Sequence, residues 1–281
     1  MTNLNGELIE NSNFITSENR GYKYGDALFE TIKAVHGKLL FWEDHYFRLM
    51  ASMRILRMEI PMNFTMEFLE SEILKTINAN NLLKSSARVR LNIDRGDGGK
   101  YLPKQKNISY NISVEALTSD FYSLSKQQNY TVDLYKDFFV APGLLSTLKT
   151  NNKAINVLGS IYAQENGWDN CLLLNTNKNV VEALNGNLFV VKGETIKTPP
   201  LKDGCLKGIM RKQLIEVIVN SGDYIIQEAS ISPFELQKAD ELFISNVITG
   251  IQPILKYRKK EFSTTISEDI IRRLNIKLRV A

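Results

Sequence analysis

A chain of 281 residues, 43% hydrophobic and 23% charged, has room for two modest domains and the composition of an ordinary globular protein. Its net charge of +4 is spread along the chain, its densest basic run ("KYRKKEF", 256–262) is short and ends in Glu261, and no apolar run nears the roughly 20 residues of a membrane span, so neither nucleic acid nor membrane is expected as a partner. Two cysteines (Cys171, Cys205) and two histidines (His36, His45) cannot build a zinc-type cluster, and the polar start "MTNLNGELIENSNF" lacks the apolar core of a signal peptide, so the expected location is cytoplasmic.

In chain order, "ETIKAVHGKLLFW" (30–42) predicts two short strands around a His36-Gly37-Lys38 turn. A helix follows, because Trp42, Tyr46, Leu49, Met50, Met53 and Leu56 recur at intervals of three and four, with Glu43 and Asp44 in the first turn. A second helix is predicted from about Thr65 to Ala79, with Phe68, Leu69, Ile73 and Ile77 on one side. Strands with alternating apolar residues come next, at Val89, Leu91 and Ile93 and at Ile108, Tyr110, Ile112 and Val114. The polar, serine-rich stretch 117–130 reads as the region of a linker.

Beyond it, "NCLLLN" (170–175) and "NLFVVKG" (187–193) are strand candidates. "GIMRKQLIEVIVNSG" (208–222) predicts a helix with Ile209, Leu214, Ile218 and Val219 inward and Gly222 at its end. "SPFE" (232–235) is a capping box with Pro233 at the first helical position. Strands and helices interleave in both halves, which predicts an α/β or α+β protein of two domains.

The chemistry-bearing residues are informative for what is missing. There is no G-x-S-x-G elbow, no H-E-x-x-H and no G-x-G-x-x-G, and "RGDGGK" (95–100) followed by Tyr101 is a glycine-rich hairpin turn rather than a phosphate loop. An enzyme built on this inventory works with Lys, Glu, Arg, Tyr and backbone amides, which suits an aldehyde cofactor held on a lysine. Pyridoxal phosphate needs an amine, an acid for its ring nitrogen, and a helix N-terminus with a cation for its phosphate. Lys149 in "LKTNNKAINVL", Glu182 in "NVVEALNGNLFVV", Gly208 in "LKGIMR" and Arg48 are candidates for those parts. Taken singly, each has a plain reading: a solvated lysine, an edge-strand carboxylate, a helix start, and a salt-bridge partner of Asp44.

Five ordered segments carry a resemblance that spans nearly the whole chain. "YGDALFETIKAVHGKLLFWEDHYFRL" (24–49), "LKTNNKAINVL", "VVEALNGNLFVV", "TPPLKDGCLKGIMR" (198–211) and "ADELFISNVITGIQPI" (239–254) resemble, in order, the motifs of the class IV, fold type IV pyridoxal-phosphate enzymes. These include branched-chain and D-amino-acid aminotransferases and aminodeoxychorismate lyases. The resemblance implies a two-domain fold with a smaller N-terminal domain over 1–118, a linker over 119–128 and a larger cofactor-binding domain over 129–281, the cofactor lying at their interface. It implies that Lys149 forms the Schiff base and acts as general acid–base, and that Glu182 pairs with the ring nitrogen. Arg48, with Gly208 and the amides of Ile209, Met210, Val247 and Ile248, is expected to hold the phosphate.

A homodimer is implied as well, and the reaction expected is transamination between a small amino acid, branched-chain or similar, and a 2-oxo acid. Two departures stand out, since many aminotransferases of this class have threonine where this chain has Met210 and Val247. "RGDGGKYLP" (95–103) resembles a loop of the lyases, so elimination from aminodeoxychorismate to 4-aminobenzoate and pyruvate is the alternative, and an inactive cofactor-binding homologue is the second. Tyr24, Arg95 and Tyr101 are the candidates for substrate contact, set against a hairpin-turn arginine and a packing aromatic.

Overall fold

The structure, a computed structural model, describes residues 1–10, 13–124 and 129–280, so residues 125–128 of the expected linker lie outside the described residues. It is a mixed α/β protein whose chain forms two compact units: Met1–Asp120 together with Lys149–Asn152, and Phe121–Leu148 together with Lys153–Ala281.

The first unit runs β1 (Thr2–Leu4), β2 (Glu7–Ile9), α1 (Arg20–Tyr24), β3 (Ala27–Val35), β4 (Lys38–Leu39), α2 (Trp42–Ile55), α3 (Met66–Ala79), β5 (Ser86–Arg95) and β6 (Ile108–Leu117). Its six-stranded sheet has the order β2-β1-β6-β5-β3-β4. His36 and Gly37 both have positive φ (48° and 76°), which matches the twist of the tight hairpin joining β3 to β4. Thr65 caps α3 by accepting a hydrogen bond from the Phe68 amide, so the second predicted helix begins one residue later than its apolar pattern suggests. Leu49 and Met53 of α2 and Leu69, Ile73 and Ile77 of α3 are fully buried with Val89, Leu91 and Ile93 of β5, each burial worth about 1.5–3 kcal/mol. On β5 the polar Arg90, Asn92 and Asp94 alternate with that apolar set and occupy the opposite face.

The second unit continues with β7 (Thr131–Val140), α4 (Ala154–Glu165), β8 (Asn170–Asn175), β9 (Val180–Ala183), β10 (Asn187–Lys192), β11 (Thr195–Thr198), α5 (Ile209–Ser221), β12 (Ile225–Glu228), α6 (Pro233–Lys238), β13 (Glu241–Asn246), β14 (Gly250–Ile254), β15 (Lys256–Tyr257), β16 (Lys260–Glu261) and α7 (Thr265–Val280). Two five-stranded sheets, β12-β11-β10-β13-β14 and β16-β15-β7-β8-β9, share a core of Leu172, Val180, Leu188, Leu242 and Ile244. Phe189 and Phe243 face each other across β10 and β13, ring centroids 4.9 Å apart. The basic run 256–262 forms the β15–β16 hairpin, and Ser232, Pro233 and Glu235 form the expected capping box on α6.

One inward residue of α5 needs correcting. Val219 is 57% exposed, whereas Val217 is buried beside Leu214 and Ile218. Positions 214, 217 and 218 follow the i, i+3, i+4 stripe, and residue 219 lies about 100° beyond its edge. Among the described residues no helix is long and apolar enough to cross a membrane.

Candidate active site

The lysine segment is an added piece of edge pairing. The Phe29 amide donates to the Lys149 carbonyl (2.9 Å) and the Asn151 amide donates to the Ala27 carbonyl (3.0 Å), with Thr150 opposite Leu28. These bonds use the edge of β3 that β5 leaves free, at the end opposite its β4 partner. Two backbone bonds on either side of Thr150 fix where the Lys149 side chain leaves the chain, which a solvated surface lysine does not need. Its Nζ lies 4.3 Å from the centroid of the Phe29 ring, and the Arg90 guanidinium lies 3.9 Å from the same centroid.

A row of polar groups continues from there. Arg90 donates to Asn151 Oδ1 (3.4 Å), Asn151 Nδ2 donates to Asn92 Oδ1 (3.0 Å), and Asn92 Nδ2 donates to Asp94 Oδ2 (3.0 Å). Burial pushes the Asp94 carboxyl up to about 6, beyond what the Asn92 hydrogen bond offsets.

Under α2, on the other face of β3, Glu30 is the hub of a buried charge cluster. Its Oε1 accepts from Arg48 Nε (2.8 Å), its Oε2 accepts from Arg48 Nη2, and the same Oε2 lies 2.7 Å from His45 Nδ1. Burial alone would raise the Glu30 carboxyl, but the Arg48 charge and the His45 contact hold it down to about 2. Burial lowers His45 in turn, against the pull of the Glu30 contact; because an ionised carboxylate can only accept, Nδ1 donates to Glu30 and Nε2 is left on the far side of the ring. That Nε2 is buried with no hydrogen-bond partner, and the Lys149 charge is among those that bear on the ring. Arg48 is therefore held bidentate by a buried carboxylate of β3.

The expected substrate-contact residues form a second cluster in the same unit. Tyr24 ends α1 and its ring centroid lies 5.8 Å from that of Tyr101 in the β5–β6 connection. Both rings are exposed, Tyr101 at 90%. Arg95 behaves differently. It is buried, and its Nε and Nη2 grip Asp26 (2.8 and 3.1 Å) while Nη1 and Nη2 reach the Arg57 and Leu56 carbonyls. The guanidinium is thus engaged inside the unit, as a hairpin-end arginine would be. Gly99, at φ 84°, has the Leu102 carbonyl only 2.4 Å from where a Cβ would lie, which explains the glycines of "RGDGGK" as turn residues.

In the second unit, Glu182 sits on the edge strand β9, and its Oε2 accepts from the Leu206 amide (2.9 Å). The Leu206 carbonyl accepts from Asn187 Nδ2 (2.9 Å), and Gly208 follows as the N-cap of α5. A Cβ at Gly208 would lie 2.0 Å from Asn187 Oδ1, so a side chain there would force Asn187 or the helix start to shift. No side chain caps this helix, and by helix geometry the amides of Ile209 and Met210 have no intrahelical acceptor. The Met210 side chain is buried in the core. Val247 and Ile248 lie in the β13–β14 turn, where Asn246 Oδ1 accepts from the Ile248 and Thr249 amides (3.0 Å each) and the Val247 carbonyl accepts from Tyr122 Oη (2.7 Å). β13 pairs with β10, so this turn and Asn187 belong to one sheet end, with Ser245 opposite Asn187.

Sequence reasoning missed Glu30, His45, Arg20 and Asp26. A carboxylate within the otherwise apolar "ALFETI", followed by the basic "HYFR" on the next helix, was the signal for the first two. Arg20 and Asp26 flank Tyr24 but have no periodicity to single them out.

The chain belongs to the class IV aminotransferase family, whose pattern it matches over residues 27–257, and it is an enzyme of that family. A protein of Methanocaldococcus jannaschii provisionally named a branched-chain-amino-acid aminotransferase is 29% identical over 277 residues, covering 98% of this chain and 94% of that one. An aminodeoxychorismate lyase of Vibrio harveyi is 27% identical over 236 residues, covering 84% of each chain. The crystal structure of the branched-chain aminotransferase of Thermoproteus uzoniensis with norvaline shares the fold, with a TM-score of 0.86 at 24% identity, over 97% of this chain and 92% of that one.

Proposed function

We propose that this chain is a pyridoxal-phosphate-dependent aminotransferase that moves an amino group between an amino acid, branched-chain or similar, and a 2-oxo acid. The observation that carries the reading is the fixed backbone of Lys149, tied to β3 on both sides of Thr150, in a chain of this family. The residues present also suit the cofactor. The tight cradle at Gly208 opens an uncapped helix, Glu182 is a carboxylate beside it, and Arg48 is a cation with a fixed orientation.

Pyridoxal phosphate, when bound, supplies an aldehyde carbon and an electron-accepting ring. Lys149 Nζ is the amine that holds that carbon and then carries a proton from and to the substrate's α-carbon. Glu182, one of whose oxygens accepts from the Leu206 amide, would keep a proton on the ring nitrogen. Arg48, with the amides of Ile209, Met210, Val247 and Ile248, holds the phosphate. Met210 and Val247 have no hydroxyl to add, and Ile248 shares its amide with Asn246. Tyr24 and Tyr101 face the substrate, while the Arg95 guanidinium is taken up by Asp26 and the Leu56 and Arg57 carbonyls.

The test is turnover of amino acid and 2-oxo acid by the wild type and by Lys149→Ala with added cofactor. Loss of at least about 10²–10⁴-fold is expected in the variant. Undiminished turnover removes Lys149 from the chemistry, and no turnover by the wild type favours the inactive homologue. The lyase is the second reading, favoured by the "RGDGGKYLP" loop and the Vibrio harveyi relative. Release of 4-aminobenzoate and pyruvate from aminodeoxychorismate, without transamination, would put it first.

A homodimer and a cytoplasmic location complete the proposal. Phe138, Phe139, Leu144, Leu145, Val157 and Ile161 of the second unit are all at least 40% exposed, an apolar surface that a second copy would cover. A monomer mass by light scattering at micromolar concentration would remove the dimer.

A further inference from the structure

We propose that Arg20 is a positioning residue that sets substrate preference: it clamps the β5–β6 loop so that Tyr101 stands against Tyr24, and this aromatic pair selects amino acids and oxo acids with large apolar side chains. The clamp rests on geometry alone, whereas the selection rests on the aminotransferase reading above.

Arg20 is only 3% exposed, yet the loop it holds is at the surface. Its Nε donates to Asp26 Oδ2 (2.9 Å), Nη1 donates to the carbonyls of Gly98 (3.2 Å) and Lys100 (2.6 Å), and Nη2 donates to the Tyr101 carbonyl (3.3 Å). One planar fork thus spans three carbonyls of a loop that lacks regular pairing, which a flexible ammonium cannot reproduce. The guanidinium also lies 5.0 Å from the centroid of the Tyr24 ring. The other ties from this loop to the 16–18 segment are peripheral, from Thr16 to Asp97 and from the Gly98 amide to the Glu18 carbonyl.

What the clamp holds in place is costly to hold there. Tyr101 and Leu102 are 90% and 84% exposed, so burial does not explain their positions. Nor is the cluster remote from the lysine segment. Asp26, which takes both Arg20 and Arg95, precedes Ala27, the residue that accepts the Asn151 amide. Gly25, next to Tyr24, would place a Cβ 3.5 Å from that of Asn152. An exposed aromatic pair, fixed through its backbone and standing beside the chain that carries Lys149, presents apolar surface to an incoming side chain.

The experiment compares wild type, Arg20→Met, Arg20→Lys and Tyr101→Ala as full-length proteins. The first readout is hydrogen exchange of the 96–104 amides without substrate. Arg20→Met is expected to exchange there at least about tenfold faster, and Arg20→Lys to restore only part of the protection. The second readout is kinetic, with alanine, leucine and phenylalanine as amino donors. Arg20→Met and Tyr101→Ala are expected to raise KM for leucine and phenylalanine about tenfold more than KM for alanine.

Unchanged exchange in Arg20→Met overturns the clamp. Equal effects on all three donors, or a Tyr101→Ala variant with wild-type KM values, overturn the selection even if Arg20→Met fails to fold. Absence of any Lys149-dependent turnover in the wild type would sink the aminotransferase reading and the selection with it, while exchange still decides the clamp.

Discussion

The two units arrange their candidate anion-binding groups in opposite ways. In the first, charged side chains are buried and balanced against each other: Glu30 takes both Arg48 and His45, and Asp26 takes both Arg20 and Arg95. In the second, the prospective donors are backbone amides at an uncapped helix start, and their approach depends on a side chain that Gly208 does not have. A side-chain site is broken by removing atoms, because each loss strands a buried charge. A backbone site is broken by adding atoms, and it tolerates changes of side-chain type. A phosphate site built on the amides of α5 and the β13–β14 turn would therefore not depend on the hydroxyls that Met210 and Val247 lack.

The sharpest way to break the comparison is Glu30→Gln. Leaving Arg48 buried and half-paired should cost about 3–5 kcal/mol, measured by urea unfolding at pH 7. Because Glu30 is held down to about 2, its contribution is complete above its ordinary value near 4.5 and is lost as pH falls from there toward 2. The wild type should therefore approach the variant's stability under acid. A much smaller loss at pH 7 would mean that Arg48 does not depend on the Glu30 charge.

Asp94 tests the opposite sign. Its carboxyl is raised to about 6, so the folded chain binds this proton more tightly than the unfolded one, and stability falls as pH rises from about 4 to 6. Asp94→Asn keeps an acceptor for Asn92 and removes the buried charge. It should stabilise by about 3 kcal/mol at pH 8 and by nothing measurable near pH 4, as followed by thermal unfolding across that range.

On the second unit, Gly208→Ala should cost about 1–3 kcal/mol, since Asn187 or the helix start must shift, and should weaken pyridoxal phosphate binding in a fluorescence titration. Normal binding by this variant would show that the amides of α5 are not the anion donors. The smallest expected effect belongs to Val247→Thr. Stability should stay within about 0.5 kcal/mol, with cofactor affinity about tenfold tighter if the turn contributes to the phosphate site.

Much of the framework is legible in the chain itself. The alternation at 89–93, the three- and four-residue spacings at 42–56, the His36-Gly37 turn and the capping box at Ser232 each specify a local conformation, and the structure forms all of them. Local rules work there because neighbours in sequence supply the interactions. The reading fails at Val219, where Val217, Ile218 and Val219 are apolar in succession and α5 buries the first two and exposes the third.

The candidate site divides along the same line. Lys149, Glu182 and Gly208 stand out by motif, because each sits in a run of residues whose order resembles that of a family. That Lys149–Asn152 pairs with β3, more than a hundred residues earlier, is a tertiary result. So is the engagement of Arg95 with Asp26 and of Arg48 with Glu30: an arginine's chemistry is written in the sequence, but the carboxylate that claims it is chosen by which strand and helix meet. The sequence by itself determined many of the elements, the family and the candidate for its reactive amine. The tertiary structure alone decided which charges are buried together, because the energy of a buried charge depends on its partner in space and not on its neighbours in the chain.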